Sequence, residues 1–196
     1  MWDDIEDHRE VDLFGGVTPG PLPLLETLKI RGAGRVFPGS QILELLSLAP
    51  NLTECIFHDV DPMSVYDLHF ISEKLVLPNL RRLSFGPGTT SPESDDDVLK
   101  YLSLPRLQTL SLPLHYVSAD GLLSFLERSS PPLQELVVGQ GSKLIESNRL
   151  HDYFRLVPAL TCFEAWRPNF ALMTGIIRHI GRFILQPPQP PHSDHP

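Results

Sequence analysis

Residues 104–112 carry the sequence LPRLQTLSL, in which a proline is followed by leucines at regular spacing. The same phrase, Pro-x-Leu-x-x-apolar-x-apolar, occurs six times along the chain. Its first leucine, called the anchor below, is found at Leu25, Leu52, Leu80, Leu107, Leu133 and Leu160. Successive anchors are 27, 28, 27, 26 and 27 residues apart, and a proline lies two residues before each one. This regularity predicts six copies of one structural unit.

A period in the twenties with the spacing L-x-x-L-x-L is typical of leucine-rich repeats, in which each unit supplies one strand and one helix. We therefore expect an α/β fold, a horseshoe-shaped leucine-rich-repeat solenoid with about six repeats of 26–28 residues. Its parallel sheet is expected to be concave and its helices convex. Side chains alternate along a strand, so the anchor and the third and fifth residues after it point inward. The second and fourth residues point outward.

Between the strands, apolar residues recur with the period of a helix. A less regular helix is expected at 65–76, ending before Pro78 because proline has no N–H to donate. Ser94, which three aspartates follow, is interpreted as a helix cap, with acid-directed phosphorylation as a compatible alternative. The more regular helical faces are predicted at Ile42/Leu45/Leu46, Val98/Leu99/Leu102, Leu122/Phe125/Leu126 and Leu150/Phe154/Val157.

These patterns divide the chain into four segments. Residues 1–20 form an acidic N-terminal segment that is expected to be partly disordered, and residues 21–170 form the leucine-rich-repeat domain. Residues 171–185 have the amphipathic spacing of a helix and are expected to cap the last strand. Residues 186–196 are rich in proline and are expected to be disordered.

Composition and charge argue against several classes of function. The chain has 196 residues and a formal net charge of −8, and no stripe of lysine and arginine suggests nucleic acid. No apolar run suggests a membrane span or a secretory signal. Cys55 and Cys162 fall four strands apart, roughly 19 Å at ~4.8 Å per strand, so both are expected to be free thiols. Free thiols favour the cytoplasm or the nucleus, and we expect a monomer.

Three phrases carry a resemblance to the leucine-rich repeats of F-box proteins, above all those of a large fungal family. They are LAPNLTEC at 48–55, LSLPRLQTL at 102–110 and LSFLERSS at 123–130. In that family an N-terminal F-box docks onto the adaptor of a cullin-type ubiquitin ligase, and the repeats hold the substrate. The resemblance therefore implies substrate recognition. No F-box motif precedes the first repeat here, so the ligase adaptor is expected as a partner only if an F-box is supplied elsewhere.

The sequence contains no catalytic motif of useful specificity, and we expect no enzyme activity, no cofactor and no metal site. Neither a nucleophile elbow nor a phosphate-binding loop is present. The run His58-Asp59-Val60-Asp61 offers an imidazole and two carboxylates, and we interpret it as a polar turn after the second strand. Cys162 falls on an outward strand position without an evident base, so it is interpreted as a simple free thiol.

The outward strand positions are the predicted binding site. A sheet face without a catalytic cluster favours a protein partner, and Trp and Arg are frequent at interface hot spots. Glu54 and Arg82 fall on adjacent strands and are also expected to pair with each other. Two alternatives stay open: a small-GTPase regulator that presents Arg82 or Arg31, and a truncated, non-functional paralogue. The predicted partner-binding residues of the concave face are Lys29, Glu54, Ile56, Arg82, Ser84, Thr109, Ser111, Glu135, Val137, Glu164 and Trp166.

Overall fold

The computed structural model describes residues 20–63, 74–86, 98–112, 119–138 and 150–165. Within these ranges the chain has an α/β fold, as expected. The helices are α1 Gly39–Leu48, α2 Ala119–Ser129 and α3 Leu150–Leu156, and a 3₁₀ turn spans Val98–Tyr101. The strands are β1 Thr27–Pro38, β2 Glu54–Met63, β3 Leu75–Val76, β4 Arg82–Phe85, β5 Leu102–Ser103, β6 Thr109–Leu112, β7 Glu135–Val138 and β8 Cys162–Ala165.

Six of the strands form one parallel sheet, and their order in it, β1-β2-β4-β6-β7-β8, follows their order along the chain. The second residue after each anchor pairs with its counterpart in the next unit, as Glu54 does with Arg82 and Arg82 with Thr109. Paired residues are therefore 27, 28, 27, 26 and 27 positions apart, the same intervals as the anchors. The predicted parallel sheet is confirmed, and the sequence interval sets its register.

The repeated proline leads into each strand through a tight turn. In five of the six units the anchor N–H donates to the carbonyl of the residue before the proline, as Leu107 does to Leu104 at 3.2 Å. This bond places proline at the second position of a β-turn, where its fixed φ is favourable. In the fifth unit Leu133 donates to Pro131 instead, at 2.8 Å. A second proline, Pro132, explains the difference, because proline is disfavoured at the third position of a type I turn.

The core lies between the inward face of the sheet and the helices. The four inner anchors are 0% exposed, whereas Leu25 and Leu160 at the two ends are partly buried. Phe57 and Phe85 stack with their ring centroids 5.1 Å apart. Tyr153 of α3 is also buried, which the sequence pattern did not predict. The helical faces predicted for α1 and α2 are buried as expected, at Ile42, Leu45, Leu46, Leu122, Phe125 and Leu126.

The first two strands are longer than predicted. β1 continues to Pro38 and β2 to Met63, and the two extensions pair with each other after an irregularity between Arg31 and Arg35. The interpretation of 58–61 as a turn is therefore wrong, since these residues lie within β2. Residues 59–61 alternate between polar and apolar, which is also typical of a strand. The predicted turn took only the polar residues into account.

The segments before Pro78 and Pro105 form short strands where helical structure was expected. Leu75 and Val76, the end of the helix predicted at 65–76, form β3, which pairs with β5 in a second, two-stranded sheet. Leu102, assigned to a helical face, lies in β5, and the described residues just before it, Val98–Tyr101, form the 3₁₀ turn. Each short strand ends beside a residue that precedes proline, and such residues favour extended backbone.

Several predictions fall outside the described residues. They include the acidic segment before residue 20, most of the helix expected at 65–76 and the cap at Ser94. The C-terminal helix at 171–185 and the proline-rich tail at 186–196 also lie there. These remain predictions from the sequence.

Candidate functional site

The register of the sheet brings the predicted outward residues into two rows on one face, called the outer face below. Every predicted site residue belongs to these rows except Trp166, which lies outside the described residues. The first row consists of Thr27, Glu54, Arg82, Thr109, Glu135 and Cys162. The second row consists of Lys29, Ile56, Ser84, Ser111, Val137 and Glu164.

Three charged side chains form a cluster at the β1 end of the outer face. The Glu54 carboxylate lies 3.2 Å from Lys29 Nζ and 3.5 Å from a guanidinium nitrogen of Arg82. The expected pairing of Glu54 with Arg82 is confirmed. The contact with Lys29 was missed, because Lys29 is the cross-strand partner of Ile56 and reaches Glu54 along a diagonal. Both cations are about half exposed, so the cluster presents positive charge to solvent.

The middle and far end of the outer face differ from the charged cluster. Ser84, Ser111 and Thr109 provide hydroxyl groups on β4 and β6. Thr109 donates to a carboxylate oxygen of Glu135 at 3.3 Å. Glu164 on β8 is exposed. The face therefore changes from predominantly cationic at β1–β4 to acidic at β7–β8.

Two predicted contact residues on the outer face are apolar, and they differ in access. Ile56 is half-buried, so it can contribute apolar surface to a contact. Val137 is buried, although its register places it on the outer face. It lies between Ser111 on β6 and Glu164 on β8, so a partner has little access to it.

Neither cysteine forms a disulfide, as predicted. Cys55 faces the core, and its burial, together with the nearby Glu54 carboxylate, raises the pKa of the thiol from 9.0 to about 12. A thiol with such a pKa stays protonated near neutral pH and is a poor nucleophile. Cys162 is exposed on β8.

A second surface was missed by the sequence analysis. A cleft of about 370 Å³ lies beside the starts of the first strands and is called the strand-start cleft below. The predicted outward positions are the second and fourth residues after each anchor, whereas this cleft is lined mainly by the residues immediately before and after the anchors. The sequence does contain one indication of this cleft, because an asparagine precedes the anchor in two successive units, as Asn51-Leu52 and Asn79-Leu80. The cleft is lined by Pro23, Leu24, Glu26, Asn51, Thr53, Asn79, Arg81 and Arg106.

The described residues contain neither a cluster of potential metal ligands nor a membrane-spanning helix. In that part of the chain, no group of three or more His, Cys, Asp or Glu is placed to hold a metal ion. None of the helices within the described ranges combines the length and the apolar character needed to cross a membrane.

Comparison with known protein families, with curated proteins and with solved structures found no match. The assignment of function therefore depends on the residues and their arrangement.

Proposed function

We propose that the chain is a leucine-rich-repeat solenoid of six repeats that binds a protein partner. In this proposal the outer face is the concave side of a horseshoe, and the helices are convex. Two observations support it: the strands follow the order of the chain, and their register repeats every 26–28 residues. A stack of such units presents one continuous face to a partner.

The observation that carries the binding proposal is the order of charges on the outer face. Lys29 and Arg82 flank the single carboxylate of Glu54, and hydroxyl groups separate this cluster from the acidic end at Glu135 and Glu164. A partner with acidic residues opposite β1–β4 and basic residues opposite β7–β8 complements this order. Such complementarity selects a partner and increases its association rate.

The resemblance to F-box proteins makes this partner a substrate of a ubiquitin ligase. The chain would then act as the substrate-recognition region, and the ligase adaptor would join through an F-box supplied elsewhere. No observation favours the small-GTPase regulator in the same way. The guanidinium of Arg82, one of its two candidate residues, already contacts Glu54.

Inverting the charges of the cluster tests the proposal. The changes are Lys29→Glu, Glu54→Arg and Arg82→Glu together, so that opposite charges stay adjacent and the ion pairs are kept. The wild-type chain and this triple variant are used for affinity purification from the native cell, and the bound proteins are identified by mass spectrometry. We expect the specific partner to be lost and the thermal melting curve to be unchanged, because exposed ion pairs contribute only ~0–1 kcal/mol.

Arg155→Glu serves as the control. Arg155 is exposed on α3, away from the outer face, and its replacement changes the net charge by the same amount as the triple substitution. The control is expected to keep the partner. A partner that is captured equally well by the triple variant would show that the outer face is not the binding site.

A further inference from the structure

The floor of the strand-start cleft is held in place by hydrogen bonds between successive units. The Asn51 side-chain amide donates to the Pro23 carbonyl at 2.8 Å, and the Asn79 amide donates to Asn51 Oδ1 at 3.3 Å. Thr53 Oγ1 donates to the Glu26 carbonyl at 3.0 Å. The backbone N–H of Thr53 donates to the same carbonyl at 2.8 Å. These bonds link the first three units, so the cleft is formed before any ligand arrives.

The two ends of the cleft differ in chemistry. Arg81 and Arg106, from the third and fourth units, are both exposed, and neither makes an ion pair with any residue that the structure describes. The other end is formed by the first unit, where the Leu24 side chain is 93% exposed. Glu26 also lines this end. An exposed leucine and two arginines that form no ion pair with the described residues therefore lie within one cleft.

The two arginines are suited to an anionic group. A guanidinium binds a carboxylate or a phosphate through two parallel N–H···O bonds, which are stronger than hydrogen bonds between neutral groups. The cleft extends over four successive units, or roughly 14 Å at ~4.8 Å per unit. An extended peptide covers that distance with about four or five residues, since each residue spans ~3.3 Å.

We propose that the strand-start cleft binds an extended peptide segment of a partner protein. An acidic group of the peptide, a carboxylate or a phosphate, is held by Arg81 and Arg106. An apolar side chain of the peptide, about four residues away, packs on Leu24. This site is separate from the outer face, and the proposal does not depend on the function proposed for that face.

Peptide selection tests this site without knowledge of the partner. A display library of random peptides of about seven residues, long enough for the cleft, is selected against the wild-type chain. It is selected in parallel against Arg81→Gln/Arg106→Gln and against the control Arg31→Gln/Arg155→Gln. Arg31 and Arg155 are exposed and outside the cleft, so the control removes the same charge. The wild type and the control are expected to enrich peptides with Asp or Glu about four residues from an apolar residue.

Binding constants of the most enriched peptide then identify the interacting groups. The peptide is synthesised with glutamate, glutamine or phosphoserine at the acidic position and measured by fluorescence anisotropy. We expect a loss of about tenfold or more for the glutamine peptide, and a similar loss for the glutamate peptide with Arg81→Gln/Arg106→Gln. Tighter binding of the phosphoserine peptide than of the glutamate peptide identifies phosphate as the natural group. The reverse order identifies a carboxylate.

A second variant tests the apolar end of the cleft. Leu24→Ser is expected to weaken the enriched peptide several-fold and to leave the thermal melting curve unchanged, because Leu24 is 93% exposed. The proposal is overturned if selection against the wild type enriches no acidic position. It is also overturned if the Arg81/Arg106 variant, folded as judged by circular dichroism, binds the glutamate peptide as tightly as the control does.

Discussion

The thiol of Cys55 occupies a core position that leucine or phenylalanine fills in the other units. The third residues after the anchors are Leu28, Cys55, Leu83, Leu110, Leu136 and Phe163. Cys55 is 0% exposed, and desolvation raises its pKa to about 12, with a smaller contribution from the Glu54 carboxylate. The sequence predicted the inward position from the alternation of the strand. The large pKa shift depends on how completely the neighbouring units exclude water, which the sequence does not show.

This shift predicts a pH dependence of stability. In the unfolded chain the Cys55 thiol ionises near pH 9.0, whereas in the folded chain it stays protonated to about pH 12. The stabilisation of the folded state by the buried, protonated thiol is therefore fully present below pH 9 and is lost as the pH rises from 9 to 12. The expected loss is about 2 kcal/mol near pH 10.5. Urea unfolding of the wild type and of Cys55→Ala measures it, because the variant lacks the titration.

The difference in unfolding free energy between these two proteins is the relevant quantity, since other groups titrate equally in both. We expect the advantage of the wild type over Cys55→Ala to shrink steadily above pH 9. A difference that stays constant from pH 8 to pH 11 would contradict the burial of the thiol.

At the scale of single elements, helix α2 is tied to the preceding unit by its last turn. The Arg128 guanidinium donates to the Leu99 carbonyl at 2.6 Å and to the Leu102 carbonyl at 2.8 Å and 3.1 Å. The next residue, Ser129, is buried, and its Oγ accepts the Leu104 N–H at 3.2 Å. These bonds satisfy backbone groups of the 3₁₀ turn, of β5 and of Leu104 just after it, a segment that is too short to satisfy them internally.

Replacing Arg128 should therefore destabilise the fold more than replacing other surface arginines. Arg128→Met removes charged hydrogen bonds and leaves the partly buried carbonyls without this donor, so we expect a loss of ~2–3 kcal/mol in unfolding free energy. Arg128→Lys should restore less than half of the unfolding free energy that Arg128→Met loses, because an ammonium group cannot reproduce the forked donor geometry of a guanidinium. Urea unfolding measures both. As a control, Arg155→Met on the exposed side of α3 should change the unfolding free energy by less than ~0.5 kcal/mol. If Arg155→Met and Arg128→Met lost the same unfolding free energy, the special role of Arg128 would be refuted.

The elements also show which features the sequence could predict. The anchors and prolines predicted the six strands of the main sheet and their register, because each unit must bury the same positions against its neighbours. The strands at 75–76 and 102–103 were not predicted, since two extended residues before a proline leave no periodicity. The outer-face rows followed from strand alternation. The strand-start cleft could not be predicted from strand alternation, because it is formed between units rather than within one.

At the scale of the whole molecule, each strand of the main sheet pairs, within the described residues, only with strands of the units that precede or follow it along the chain. Such an arrangement distributes stability over neighbouring interfaces and concentrates burial in the middle units. The exposures agree with this, since the anchors Leu52, Leu80, Leu107 and Leu133 are 0% exposed. Leu160, in the last unit, is only partly buried among the described residues.

The cost of removing an anchor should therefore depend on its place in the stack. Leu107→Ala is expected to lower the unfolding free energy by ~2–5 kcal/mol, because it leaves a cavity between two neighbouring units. Leu160→Ala should cost about 1–2 kcal/mol, since less apolar surface is lost from a partly exposed site. Urea unfolding of both variants under identical conditions compares them directly. Equal losses would show that Leu160 is buried as deeply as Leu107, and that stability does not decline toward this end of the sheet.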